Sequence, residues 1–524
     1  MLRAARPRRT AHALLLAVVV LCHFAAASSA AAAQDPASAL LWFRNGHPST
    51  QALALLAQMR DAERYGLRPS DYGAEALAAQ IAQPGLAGAR DAAEWQSLDG
   101  ALSAAALRFA THLHSGRVNA RRAGFDVEQA RPAFDGAAAV RLLATGSDTL
   151  ATLQALEPPF LHYRLLKVAL QRYRQLDTQG GLTELPPFKP RSLREGERYA
   201  GAPALRRLLQ ALGDLDAREG DLSDPLLLDA GLSAALGRFQ ERHGLHPDGV
   251  LGRSTWRALT VPMATRVRQI ELTLERWRWL PAFTRPPIIV NIPQFRLFAF
   301  RTTDDHVADI LQMSVIVGRI FPRNRTPVFM SELRYVVFRP YWDVPPSIVQ
   351  NEMLASIRKS LDYLARNNLE LVRGQGDDGA VIAADEASVE ALARGELRLR
   401  QRPGEGNALG LIKFLMPNGY NVYLHSTPEQ HLFNEAQRAF SHGCIRVADP
   451  LPLAVQVLHD TPGDWTPQAI EAAMHGEATQ RIELAQPIPV LVLYGTALAK
   501  EDGQIMFFED IYGHDRRLER LLGR

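Results

Sequence analysis

The feature that most constrains this chain is a change of hydrophobic period close to Pro286. Before it, apolar residues recur at helical spacing, as in Leu53-Leu55-Leu56-Met59, Leu98-Leu102-Leu107-Phe109 and Leu161-Leu165-Leu166-Val168-Leu170. After it, Ile288-Val290-Ile292, Phe295-Leu297-Ala299 and Met313-Val315-Val317 alternate at period two, as strands do. Tyr335 to Phe338 and Val422 to Leu424 are further strand candidates. Two periods in separate blocks predict a multidomain α+β protein, and 524 residues leave room for two to four domains.

The first block begins with an export pattern. Arg3, Arg6, Arg8 and Arg9 precede an apolar run from Ala13 to Ala27, then small residues to Ala33, as in a secretory signal over 1–33. An uncleaved anchor is the alternative, but the run is short for a membrane span, so no stable span is expected after cleavage. The formal charge of +3 resides there: without 1–33 the chain has 55 Lys and Arg against 56 Asp and Glu. Neither a nucleic-acid partner nor an acidic surface is implied. Of the two cysteines, Cys22 leaves with the signal and Cys444 remains as a lone thiol. That excludes a disulfide-dense scaffold.

Residues 34–200 read as a helical domain, its end marked by the proline-rich stretch Leu182 to Tyr199. A three-helix pattern follows over 203–262. Phe239 sits on an apolar helix face beside Gln240, Gly244 ends that helix, and Asp248-Gly249 supplies a turn with positive φ. Gly252 is expected to permit close backbone approach, and Thr255 to open the next helix. Val267 to Leu280 reads as an amphipathic connecting helix within 263–285, with Ile270, Leu274 and Trp277 inward. The strand-rich block is expected over 286–495, interrupted at 347–411 by a helical insertion that is a candidate lid, and 496–524 is expected to be a tail.

The reactive pattern lies in that block. Tyr423-Leu424-His425-Ser426 is followed, after fifteen residues between His425 and Ser441, by Ser441-His442-Gly443-Cys444-Ile445-Arg446. A thiol attacks as thiolate and needs a base or cation nearby, which His425 and His442 could supply. Gly443 lets the loop turn tightly, so that amide groups near Cys444 can face a developing oxyanion. Arg446 could grip a carboxylate. The alternatives are a buried structural cysteine, or zinc held by His425, His431, His442 and Cys444; no second cysteine completes a zinc site, so no metal is expected.

Phe239-Gln240, Asp248-Gly249 with Gly252, and Thr255 with Leu259 resemble the peptidoglycan-binding type 1 module. The run from His425 to Arg446 resembles the signature of YkuD-type L,D-transpeptidases, as do Ile316-Val317-Gly318-Arg319, Arg325-Thr326-Pro327 and Pro340 to Pro346. The order of segments is similar to that of the large YcbB-type members. The resemblance implies that Cys444 is acylated by a donor tetrapeptide stem and that His425 moves the proton, oriented by Ser426 through its carbonyl. It makes His442 and Gly443 shapers of the loop and oxyanion site. Arg446, Tyr423, Trp342 and Ser441 become substrate-binding residues. The family often has Asn at the position of Arg446. It also implies 3-3 peptidoglycan crosslinking with release of D-Ala, in the periplasm, without a cofactor. The acceptor would be a diaminopimelate amine, other wall-synthesis enzymes would be partners, cell shape would depend on it, and carbapenems would acylate it. The rival readings are an L,D-carboxypeptidase, a lipoprotein-attaching transpeptidase, and a non-catalytic wall-binding protein. An NlpC/P60-type peptidase fits less well, because its cysteine precedes its histidine.

Overall fold

The computed structural model describes residues 40–82, 91–127, 134–188, 191–216, 224–303 and 310–523. The expected signal over 1–33, with Cys22, lies outside the described residues. Among the described residues no helix is long and apolar enough to cross a membrane.

The first block forms helices where the spacing predicts them, the longest being Ala92–Ser115 and Leu161–Thr178. Asp91 caps the former by accepting the amide of Glu94 at 2.8 Å. The three-helix segment follows as Ala202–Leu212, Ala230–Arg242 and Arg253–Leu259. The proline-rich stretch before it adds a short strand, Ser192–Leu193, paired with Leu251–Gly252. Gly249 takes φ +68°, and a Cβ there would meet Ser233 Oγ at 2.7 Å, so the turn demands glycine. Gly252 departs from expectation. It has an ordinary negative φ as N-cap and nothing within 4 Å of a Cβ.

The connecting helix, Met263–Trp277, is not amphipathic in the expected sense. It is buried from Ile270 through Trp277 on every face, charged residues included. Each acid finds a cation: Glu271 pairs with Arg174 and Arg268, and Glu275 with the fully buried Arg278. Arg276 faces Asp515 at 2.6 Å. Paired charges can occupy a helix face that apolar residues would otherwise fill. Asp515 lies in the helix His514–Leu521, which follows the hairpin Ala497–Ala499 and Ile505–Phe507. The expected tail is therefore a packed element of the core, with Phe507 and Leu518 buried.

The second block builds nine strands: β1 Ile288–Asn291, β2 Arg296–Ala299, β3 Leu311–Gly318, β4 Phe329–Phe338, β5 Ile412–Leu415, β6 Leu424–His425, β7 Ala439–Ser441, β8 Ile445–Val447 and β9 Gln480–Leu493. Their order is β7-β3-β8-β6-β5-β4-β9-β1-β2, and β2 also pairs with β3. The hydrogen bonding of eight strands thus closes on itself, leaving β7 against the end of β3. Alternate residues such as Val315, Val317, Ile412, Phe414, Leu424, Ile445 and Val447 fill the core.

The insertion after β4 is α+β rather than helical. Leu354–Lys359, Asp362–Arg366 and Glu386–Ala393 are helices, but Leu369–Arg373, Ala380–Ile382, Arg398–Gln401 and Trp342–Asp343 form a four-stranded antiparallel sheet. These strands do not alternate cleanly in sequence, because Glu370 and Arg400 are buried as an ion pair. The insertion has its own core around Ile357, Leu371, Val389 and Leu399.

Candidate functional site

Strand register assembles the reactive face. β6 and β8 run parallel with His425 opposite Arg446, so Tyr423 and Cys444 precede them on the same face. β5 runs antiparallel to β6 and sets Lys413 directly across from His425. Lys413, Tyr423, His425, Cys444 and Arg446 therefore share the side of the sheet opposite Leu424 and Ile445.

His425 is 4% exposed, and its Nδ1 lies 2.6 Å from the Ser426 carbonyl oxygen. A carbonyl can only accept, so Nδ1 carries the proton and Nε2 is left with its lone pair. Burial, with Arg446 adding to it, pulls His425 down to about 3, which makes it a neutral acceptor at physiological pH. Ser426 is fixed in turn: its hydroxyl accepts the amides of Leu411 and Ile412 at 2.8 and 3.2 Å and donates to the Leu409 carbonyl at 3.2 Å.

Cys444 is partly exposed and lies 3.6 Å from the Asn421 carbonyl oxygen. Burial raises its thiol above the usual range, opposed by hydrogen bonding from Tyr423 and by the charges of Lys413 and Arg446. Burial and the nearby thiolate charge push the Tyr423 phenol well up, so it stays a donor. Its ring lies 5.8 Å from that of His425, with Lys413 Nζ 4.1 Å from the ring centroid. Lys413 itself is lowered by burial.

The loop carrying the thiol is tied down by two hydroxyls. Ser441 Oγ donates to the Cys444 carbonyl at 2.5 Å and accepts the Gly443 amide at 3.1 Å. That hydroxyl is engaged inside the loop, where it braces the turn. Thr326 Oγ1 donates to the Gly443 carbonyl at 2.9 Å and accepts the Gly318 amide at 2.8 Å. A Cβ on Gly318 would fall 1.9 Å from the Asn324 carbonyl, so only glycine lets the end of β3 lie against the turn Pro322–Asn324. Gly443 has φ +123°. With the Gly443 amide occupied, the Cys444 amide, which has no acceptor among the described residues, is the donor left for an oxyanion.

His442 points away from the thiol. Its Nε2 lies 2.6 Å from Glu352 Oε1, in the insertion, and 3.5 Å from Arg319. Arg446 is held by Glu429 and not left open. Trp342 packs on the core of the insertion. Lys413 and Tyr512, whose hydroxyl donates to the Gly318 carbonyl, were not singled out in the sequence, and Thr326 was quoted there only within Arg325-Thr326-Pro327, without a role. A lysine in an otherwise apolar strand, Ile412-Lys413-Phe414, was the available signal for the first.

The motif residues of the three-helix segment lie elsewhere and face inward. Phe239 is 1% exposed and stacks on His243 at 3.8 Å. The Gln240 amide donates to Asp248 Oδ1, the Val250 carbonyl and Thr255 Oγ1 at 2.9, 2.9 and 3.0 Å and accepts the Gly249 amide at 2.8 Å. Gly244, at φ +66°, ends the helix as expected. Among the described residues no group of three His, Cys, Asp or Glu side chains is arranged for a metal ion.

Comparison with known proteins matches three family models in sequence order: a scaffold domain over 34–170, a "Putative peptidoglycan binding domain" over 200–259 and an L,D-transpeptidase catalytic domain of the YkuD type over 285–465. A Haemophilus influenzae protein described as "Putative L,D-transpeptidase" is 33% identical over 251 residues, 48% of this chain and 49% of the relative. The N-acetylmuramoyl-L-alanine amidase CwlM of Mycobacterium tuberculosis is 42% identical over 73 residues, 13% of this chain and 18% of its own length. The chain thus spans about half the length of the Haemophilus relative.

Proposed function

From a chain that carries a scaffold domain, a peptidoglycan-binding domain and a YkuD-type L,D-transpeptidase catalytic domain in that order, we propose an enzyme that forms 3-3 peptidoglycan crosslinks through a thioester on Cys444. The observation that carries the reading is the shared face of Cys444, Tyr423 and His425, with the imidazole tautomer fixed by Ser426.

The Cys444 thiol passes its proton to His425 Nε2 and attacks the carbonyl of the donor stem's third residue. The oxyanion forms against the Cys444 amide, and the imidazolium returns the proton to the departing D-Ala amine. A diaminopimelate amine then enters, gives up a proton to the same Nε2 and attacks the thioester; Cys444 leaves as the thiolate and takes that proton back from the imidazolium. Water in place of the amine gives the carboxypeptidase outcome. Lys413 stabilises the thiolate and, by repelling a second cation at His425, keeps the imidazolium acidic enough to protonate the leaving group. The insertion acts as a lid latched to the reactive loop through Glu352 and His442. The export pattern supports action in the periplasm.

Intact-mass analysis after incubation with a carbapenem tests the site. One adduct per chain is expected, absent in Cys444→Ala, and muropeptide analysis of cells expressing either form should show 3-3 crosslinks only with the thiol. An adduct on Cys444→Ala, or crosslinks made by it, overturns the assignment.

A further inference from the structure

The residues that mark the peptidoglycan-binding domain are consumed in holding it together. Phe239, Gln240, Gly249 and Thr255 are buried against one another, so the ligand must meet other atoms of this domain. Its face toward the catalytic barrel provides them. A cavity of about 1210 Å³ is walled on one side by the segment His243 to Pro247 with Ser254, Arg257 and Ala258, and on the other by β1, β2 and the segment Asn434 to Arg438. That last segment runs directly into β7 and the reactive loop.

Among the described residues the walls carry seven Arg or Lys against three Glu, an imbalance that favours an anionic occupant. Among the described residues four of the guanidiniums, those of Arg257, Arg266, Arg296 and Arg438, have no carboxylate partner. Arg266, 8% exposed, donates only to Gln269 Oε1 and the Ala258 carbonyl, each at 2.9 Å. Arg438 donates to the carbonyls of Val315, Glu435 and Phe295 at 3.3, 2.7 and 3.1 Å. Arg296, beside it, is exposed and among the described residues forms no ion pair. Burial, and for Arg438 the neighbouring Arg296, presses Arg266 and Arg438 down to about 10. Arg266 is thus a buried cation without a counter-ion among the described residues, which is costly, and an anion entering the cavity relieves that cost. Trp277, Phe298, Phe300 and Phe508 line the same space and offer apolar faces for sugar rings.

We propose that this cleft binds a muramoyl sugar with its carboxylate-bearing stem peptide, gripped jointly by the peptidoglycan-binding domain and the barrel. The volume suits a disaccharide with a short peptide. Glycan held here lies against the Asn434 to Arg438 segment, so capture by the domain is tied to the approach to Cys444. The inference rests on peptidoglycan being the substrate.

The test uses the full-length protein and a purified disaccharide-tetrapeptide, with binding measured by calorimetry. Arg257→Glu and Arg296→Glu change one exposed residue on each wall, and Arg257→Gln and Arg296→Gln serve as milder forms. The double Glu variant is expected to bind at least tenfold more weakly and the double Gln variant by an intermediate factor, while carbapenem acylation of Cys444 stays at the wild-type rate. A change under twofold in the double Glu variant overturns the proposal. So does an equal or tighter wild-type affinity for heparin, which would make the cleft a general polyanion site. Failure of the enzymatic reading would appear separately, as no acylation of the wild-type protein.

Discussion

Replacing Gln240 by Met keeps the volume of the side chain while removing four hydrogen bonds. Their loss is not equal. Asp248 Oδ1 still accepts the Val250 amide, and the Val250 carbonyl still accepts the Thr255 hydroxyl, so both retain partners. The Gly249 amide is left buried without an acceptor. One buried orphan costs about 1–3 kcal/mol, and the remaining lost bonds bring the total to about 2–4 kcal/mol. At about 1.4 kcal/mol per factor of ten, that is roughly 30- to 1000-fold in the opening equilibrium of this domain. A melt of the whole chain would blur the effect, since several domains share one core and two-state behaviour is not assured. Native-state hydrogen exchange reads it locally: amides of Ala235 to Phe239 should exchange faster by that factor, with those of β4 unchanged. Sacculus binding per folded molecule should stay at the wild-type level. Exchange altered by less than threefold, together with lost sacculus binding, would show that Gln240 touches ligand and that its inward role is misassigned.

Lys413→Met should raise the Cys444 thiol pKa further, because it removes a charge that favours the thiolate, and so slow iodoacetamide alkylation at neutral pH. Lys413→Arg should restore most of the rate, and an unshifted alkylation profile in the Met variant would remove Lys413 from thiolate stabilisation. Glu352→Gln should loosen the insertion, seen as several-fold faster hydrogen exchange over 346–359 and a raised KM with kcat preserved; identical exchange would argue against a latch. Acid should destabilise the fold below about pH 6.5, because His425, His112 and His514 are held at about 3, 4 and 4 when folded. The unfolded chain then binds more protons, and each histidine removes up to about 1.4 kcal/mol per pH unit as pH falls toward its folded value. A urea midpoint that is flat or rising from pH 7 to 5 would contradict this.

The amino-acid sequence determined what local chemistry can determine. The two hydrophobic periods placed helices and strands, since burial on one face leaves a repeat of 3.6 or 2. The lone thiol, its histidine and the turn glycines were legible because each is a residue type with few other uses in that setting. Patterns fail where pairing partners are distant. Glu370 and Arg400 disguised the strands of the insertion, and Arg276 with Asp515 hid both a buried helix and a packed C-terminus. Lys413 gained its place only when β5 docked on β6. Ser441 and Gln240 read as site residues, and tertiary contacts turned their polar atoms inward. Local spacing reaches about one turn or one strand, whereas the partner of a buried charge or hydrogen bond is chosen by the register of segments far apart in the chain. The sequence named the candidate reactive groups, and the tertiary structure decided which polar atoms are engaged within the fold.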